Sequence, residues 1–300
     1  MIEIKNVSKR FGDIQAVNTV SLSIKDGCIF GLVGTNGAWK STLLRILAGV
    51  LKADGGEVCY DGENIYENIE KKKNLFYIPE DAYFFTNSTP YQMMEYYAAV
   101  YEAFDKDYFL HMLEKFHLDK DRKIQTFSKG MKKQLSILLA LSSNVKYILC
   151  DETFDGLDPV MRQVVKSLFV DAVVQRELTP VIASHNLREL EDVCDHVGLL
   201  HEGGVLLSED LEDMKFHIHK VQCVMPNETM EQHLLKDLEV LNYQRSGSLM
   251  YIIARGTQKE IMGTVQRYAP VFSEIVPLSL EEIFISETEV AGYEIKNILF

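Results

Sequence analysis

The sequence predicts an α/β fold organised by a phosphate-binding loop between a buried strand and a helix, with a small α+β domain at its C-terminal end. Three stretches carry that expectation. The apolar run Cys28 to Val33 stops at Gly34-Thr35-Asn36-Gly37, and Lys40-Ser41-Thr42 opens a helical pattern through Leu43, Leu44, Ile46 and Leu47. Further on, the apolar strand from Val145 ends in the acid pair Asp151-Glu152, and Pro180 to Ser184 ends at His185. Buried strands of this kind bind ligands at their C-terminal edge.

In the first stretch the glycines let loop amides turn inward as a nest for phosphate oxygens, and the helix start adds partial positive charge. Lys40 is placed to reach the outer phosphates, and Ser41 to hold Mg²⁺. The pattern G-x-x-x-x-G-K-[ST] is matched except for one residue, because Trp39 stands where glycine is expected. If that position requires positive φ, the tryptophan costs roughly 1 to 3 kcal/mol in backbone strain, and the indole adds bulk beside the phosphates. The bland reading is a Gly-rich strand-to-helix turn.

The totals narrow the choice of partners. At 300 residues the chain can hold one large and one small domain, and 47% hydrophobic with 25% charged residues is an ordinary globular mixture. A net charge of −13 argues against a binder of nucleic-acid backbones. The five cysteines are scattered and form no C-x-x-C pair, so neither a disulfide framework nor a zinc site is expected, and a reducing cytosol is. No stretch approaches the roughly 20 apolar residues of a membrane span, and the start of the chain lacks a signal-peptide layout, so a membrane role is expected to run through a partner.

Taken in order, residues 2 to 6 and Ala16 to Ile24 alternate as antiparallel strands, with Lys9-Arg10-Phe11-Gly12 between them. Phe11 can stack on a base or simply pack. Glu57 to Tyr60 is a short strand and Asp61-Gly62 a turn, Lys71-Lys72-Lys73 is a solvated or lipid-facing basic run, and Asn74 to Pro79 is a strand leading into Glu80-Asp81. From Tyr83 to about Asn144 the pattern becomes helical and rich in aromatics, some of which could line a partner groove. Ser128 is an N-cap candidate before Leu135, Leu138 and Leu139. The acid pair after Cys150 suits phosphoryl transfer to water, one carboxylate at Mg²⁺ and the next near the γ-phosphate; without the loop it would read as a solvated turn. Asp158-Pro159 starts a helix, and His185 by itself reads either as a ligand contact or as a structural histidine.

After a hairpin at Val197 to Leu207 and a short helix at Glu209 to Lys215, the first domain is expected to end at 215. Residues 216–300 read as strand, helix, two strands, helix, strand and closing helix, an order that suggests a ferredoxin-like α+β sandwich. His217 and His219 are spaced to face one side of a strand but lack the further ligands a metal site would need.

This set of motifs resembles the ATP-binding cassette (ABC) ATPases, and most closely the ATPase subunits of bacterial ABC-2 type exporters with a C-terminal extension. The resemblance implies a P-loop NTPase cassette with a RecA-like core, an antiparallel β subdomain and a helical subdomain at about 83–144. It makes Phe11 the adenine-stacking aromatic and Gly34 to Thr42 Walker A, with Gly34, Asn36, Gly37, Trp39, Lys40, Ser41 and Thr42 at the nucleotide. Ser128 and Gly130 match the signature that meets a second subunit's ATP, and Asp151 and Ser41 hold Mg²⁺. Glu152 is then the general base, Asp158 the D-loop residue and His185 the γ-phosphate switch. Glu80 replaces the usual Q-loop glutamine and puts a further negative charge near the metal, Thr153-Phe154 replace Pro-Thr, and Trp39 bears on nucleotide affinity. The implied partners are ATP, a second ATPase subunit as homodimer or heterodimer, and membrane permease subunits on the cytoplasmic side, with no nucleic acid. The implied activity is ATP hydrolysis driving export. The alternatives are a nucleotide-binding or regulatory subunit whose hydrolysis Trp39 impairs, and a soluble ABC protein acting on ribosomes or DNA, which the acidic charge disfavours.

Overall fold

A computed structural model describes residues 1–34 and 37–290 and divides the chain into two compact units, Met1–Leu207 and Ser208–Phe300. In the first unit β1 (Ile2–Phe11) and β2 (Ile14–Ile24) form a hairpin, and β3 (Phe30–Gly34) leads into α1 (Lys40–Leu47). Next come β4 (Gly55–Tyr60), β5 (Glu63–Asn64), α2 (Ile69–Lys72) and β6 (Leu75–Ile78). The helical stretch holds α3 (Pro90–Val100), α4 (Lys106–Lys115) and α5 (Lys129–Ser142). Then follow β7 (Tyr147–Asp151), α6 (Pro159–Arg176), β8 (Thr179–Ser184), α7 (Leu187–Glu191), β9 (His196–His201) and β10 (Gly204–Asp210).

These strands make two sheets. The order β2-β1-β4-β5 is antiparallel, and in the order β10-β9-β3-β8-β7-β6 the five strands from β9 to β6 run parallel. Every residue of β3, β7 and β8 is buried, as expected of a sheet covered on both faces. The apolar faces of α1 and of both sheets share one core, which includes Ile4, Val20, Leu44, Leu47, Tyr60 and Leu149. β1 and β2 run longer than their alternation indicates, because register shifts between Ile4 and Val7 and again before Lys9 interrupt the period of two. Gly56 shows how closely β4 crosses β1: at φ +74, an added Cβ would lie 2.2 Å from the Lys5 carbonyl oxygen.

The second unit contains α8 (Leu211–His217), β11 (Ile218–Val224), α9 (Glu228–Asp237), β12 (Glu239–Ser246), β13 (Leu249–Arg255), α10 (Gln258–Arg267), β14 (Phe272–Val276) and α11 (Leu280–Val290). The antiparallel order β12-β13-β11-β14, with one helix after the first strand and one after the third, is the split-βαβ arrangement of ferredoxin-like folds. One sheet face buries Val221, Cys223, Met250, Ile252 and Ala254 against Leu234, Ile261 and Val265 of α9 and α10. The helix read at Glu209 to Lys215 begins two residues later and groups with this unit, since compact packing changes at Leu207. His217 closes α8 while His219 lies in β11, so the two do not share a strand face. All five cysteines are buried and free. Among the described residues, no helix is long and apolar enough to cross a membrane.

Candidate nucleotide site

The C-terminal ends of β3, β7 and β8 bring the sequence-predicted residues together. β3 ends at Gly34, where close packing excludes a side chain: a Cβ would meet both Ala38 Cβ and the Leu200 carbonyl oxygen at 2.8 Å. Asn36 lies outside the described residues. Gly37 has φ +83, and Trp39, at φ 66 and ψ 26, occupies the left-handed region as the residue just before α1. The backbone there adopts the conformation that glycine would favour. The indole is half-buried and stands 6.5 Å from the Phe11 ring, centroid to centroid, with a tilt of 32°. Phe11 is 45% exposed, and Lys9 Nζ lies 5.6 Å from its centroid.

Lys40 opens α1 and is 6% exposed. Its Nζ donates to the Gly34 carbonyl at 2.8 Å and lies 3.7 Å from Glu152 Oε1. Burial pulls the Lys40 ammonium below the usual lysine range, against the pull of Glu152 and Asp151. Ser41 donates from Oγ to Asp151 Oδ1 at 3.0 Å, and the Tyr77 hydroxyl donates to Oδ2 at 3.3 Å. Burial pushes the Asp151 carboxyl up, and the hydrogen bonds from Ser41 and Tyr77 oppose it. Thr42 follows in α1 and is buried.

Glu152, with φ 47, sits one residue past β7 and donates its amide to the Ala183 carbonyl of β8 at 3.0 Å. That bond turns its carboxylate toward the end of β8, where Oε2 lies 2.9 Å from His185 Nδ1 and accepts from the His185 amide at 3.4 Å. His185 is held in turn by the next residue: the Asn186 amide donates to Ser184 Oγ at 3.0 Å, and its side-chain amide donates to Glu189 Oε1 at 3.0 Å.

A cavity of about 450 Å³ opens at this edge, lined among others by Trp39, Lys40, Ser41, Glu80, Glu152 and His185. Glu80 is exposed on its wall. The hydroxyl–carboxylate pair Ser41–Asp151 is the hard-oxygen donor chemistry that suits Mg²⁺, so these residues fit that ion. Among the described residues, no group of three His, Cys, Asp or Glu side chains gathers as a metal cage, so a cation here would rely on phosphate and water for the rest of its shell.

Ser128 and Gly130 do not line this cavity. Ser128 caps α5, accepting from the Met131 amide at 3.2 Å, and Gly130 packs against the turn after β7, where an added Cβ would be 3.0 Å from the Gly156 carbonyl oxygen. Asp158 caps α6 by accepting from the amides of Val160 and Met161, both at 3.0 Å. Two residues of the site were not legible in the sequence. Tyr77 lies in the strand read from Asn74 to Pro79 and Lys133, 4% exposed, in the helical pattern after Ser128, neither with a role of its own; the structure has Tyr77 donating to Asp151 and Lys133 Nζ to the Glu152 carbonyl.

β3 leading to α1 past Gly37 and Trp39, a buried lysine, a hydroxyl–carboxylate pair and an acid–histidine pair on one parallel sheet edge have the arrangement of a P-loop α/β nucleotide-binding cassette. The chain matches the family described as ABC transporter over residues 17–155. It is 30% identical over 287 residues to the ABC transporter ATP-binding protein YtrB of Bacillus subtilis (strain 168), covering 96% of this chain and 98% of that protein. It is 31% identical over 250 residues to the bacitracin transport ATP-binding protein BcrA of Bacillus licheniformis, covering 80% and 82%. Among solved structures it is similar to an ATP-binding subunit of an ABC transporter, with TM-score 0.66 and 23% identity over 72% of this chain and 92% of that one. A dimeric post-hydrolysis ATP-binding cassette bound to ADP and Pi matches with TM-score 0.63 and 23% identity, over 70% of this chain and 99% of that one. The chain belongs to the ABC transporter ATP-binding proteins, the ATPase subunits of ABC transporters.

Proposed function

We propose that this chain binds Mg²⁺-ATP at the cavity between α1 and the ends of β7 and β8, and that two such subunits close head-to-tail over two nucleotides to drive export through membrane permease subunits on the cytoplasmic face. The observation that carries the reading is the convergence of Lys40, the Ser41–Asp151 pair and the Glu152–His185 pair on one cavity. In that site Lys40 and the loop amides bind the phosphates, and Ser41 and Asp151 hold Mg²⁺, which supplies charge neutralisation at the phosphates when bound. Glu152, oriented by the Ala183 carbonyl and by His185, takes a proton from the attacking water, and His185 holds the γ-phosphate end. Ser128 and Gly130, away from the chain's own cavity, serve the partner subunit's nucleotide. Antibiotic-like cargo is supported by the likeness to a bacitracin transport protein. The aromatic series Tyr83, Phe85, Tyr96, Tyr97 and Tyr101, joined by ring contacts of 4.9 to 6.2 Å and partly exposed, suits contact with the permease.

A second reading is favoured by Trp39, whose indole lines the same cavity. In it the chain binds nucleotide but hydrolyses it poorly and acts as a regulatory subunit. Steady-state ATP turnover of the full chain, with and without permease subunits encoded beside it, decides. Turnover that rises with permease supports the first reading, and tight binding without turnover supports the second. No capture of permease would count against a transport role for either.

A further inference from the structure

Lys133 is a buried cation that the nucleotide chemistry does not use. It sits one turn into α5, five residues after Ser128, and its Nζ donates to the carbonyl oxygen of Glu152. The Glu152 backbone is held in the left-handed region at φ 47, a conformation that costs a non-glycine residue energy unless neighbours hold it. Its amide is fixed by Ala183; its carbonyl is fixed by Lys133 and, at 3.3 Å, by the Asp155 amide. Two more contacts tie the same pair of segments. Lys129 Nζ lies 2.8 Å from Asp155 Oδ2, and Gly130 approaches the Gly156 carbonyl oxygen too closely for a side chain.

We propose that Lys133 is a positioning residue that sets the peptide plane of Glu152, so that the start of α5 governs where the Glu152 carboxylate points. This rests on the reading of Glu152 as the general base. A charged donor on a buried carbonyl makes a stronger bond than a neutral one, and burying a lysine is unfavourable unless such a partner is met. Burial also pulls the Lys133 ammonium below the usual lysine range. In a head-to-tail dimer Ser128 and Gly130 meet the partner's nucleotide while Glu152 serves the chain's own. Lys133 would then link the two sites through one chain: a shift of the signature turn on closure reaches Glu152 through the Lys133 and Lys129 contacts.

The test uses the full chain as parent, Lys133→Met, Lys133→Arg and Glu152→Gln, each also in a Trp39→Gly background so that a weakly active parent does not mask the result. The expected result for Lys133→Met is a fall in kcat of about tenfold or more with KM for ATP within twofold, and an unchanged thermal midpoint. Hydrogen exchange of the amides from 152 to 157 should be faster in that variant, independent of any turnover. Lys133→Arg, which keeps a charged donor, should recover part of kcat and of the exchange protection. An unchanged kcat with unchanged exchange in Lys133→Met overturns the proposal. So does a parallel loss of kcat, KM and thermal midpoint, which marks a merely structural lysine. If Glu152→Gln retains turnover, the assignment of Glu152 has failed instead, and the exchange result alone judges Lys133.

Discussion

Replacing Trp39 by glycine separates backbone strain from steric bulk. Trp39 sits at φ 66 and ψ 26, where a non-glycine residue is disfavoured by about 1 to 2 kcal/mol, and glycine is not. Against that gain, glycine loses about 0.5 to 1 kcal/mol more backbone entropy on folding. The 6.5 Å Phe11–Trp39 ring contact, worth about 0.5 to 1.5 kcal/mol, also disappears. These nearly cancel, so the stability of Trp39→Gly should stay within about 1 kcal/mol of the parent, a shift of only about 2 to 4 °C in thermal midpoint. ATP affinity should move much further. The half-buried indole lines the cavity beside Lys40 and Ser41, and its removal clears the approach to the loop amides. We expect at least tenfold tighter binding, about 1.4 kcal/mol. Titration with a fluorescent nucleotide reads affinity for both chains, and Trp39 emission reports binding in the parent. A drop of more than about 5 °C in thermal midpoint with unchanged affinity would refute the reasoning, because the indole would then be serving the fold and not obstructing the site.

Phe11→Ala should weaken ATP by about 5- to 150-fold and leave inorganic tripolyphosphate unaffected, since a base–aromatic stack is worth about 1 to 3 kcal/mol and tripolyphosphate has no base; competition against a labelled nucleotide measures both. Glu152→Gln should bind ATP at least as tightly as the parent while losing turnover by about a hundredfold or more, measured by phosphate release in single- and multiple-turnover assays. Asp61 gives a pH test. Partial burial opposes the shift, but hydrogen bonds from the Met1 amino group and Lys146 hold its carboxyl down at about 2, from an ordinary 3.8. A depressed carboxyl contributes stability above the ordinary value and loses it as pH falls from about 3.8 through about 2. The side chain is 43% exposed, so the contribution is at most about 1 kcal/mol. Asp61→Asn should lower the thermal midpoint slightly at pH 7 and match the parent near pH 2, if both remain folded there.

The stretches that were legible share one property, in that their local sequence decides their structure. β3, β7 and β8 are short apolar runs ended by glycine or acid, and the second unit alternates cleanly enough for its strand and helix order to be read. β1 is the counterexample. Its residues 7 to 11 read as a connection because bulges interrupt the alternation, and only pairing with β2 and β4 reveals them as strand. The boundary between the units is another, since no composition shift marks Leu207 and only packing assigns α8 to the second unit. In the candidate site, Lys40 and Ser41 follow from the loop motif and the acid pair from its place at a strand end, whereas the role expected of His185 comes from the family resemblance and not from its own surroundings in the sequence. Lys133 and Tyr77 follow from neither. Their roles depend on which backbone carbonyl or carboxylate the fold brings within reach, and neither local period nor motif carries that.

On the proposed reading of the site, the arrangement of these side chains also sets how a nucleotide enters. Lys40 donates to the Gly34 carbonyl and faces the Glu152 carboxylate, Ser41 donates to Asp151, and Glu152 meets His185. Each group that the chemistry needs already has a partner inside the protein, so phosphate binding is an exchange of partners and not the filling of an idle set of donors. At 3.7 Å, opposite charges attract by about 4 kcal/mol with an effective dielectric near 20, and most of that must be replaced by phosphate oxygens as Lys40 turns outward. Glu80, Asp151 and Glu152 together repel an incoming polyphosphate, which makes affinity depend on a divalent cation more steeply than Lys40 alone would suggest. Measured without Mg²⁺, ATP binding should therefore weaken less in Glu152→Gln than in the parent, because one of the three repelling charges is gone and Lys40 has lost its internal competitor. An equal loss of affinity in both chains would mean that the Lys40–Glu152 pair does not set the cost of entry.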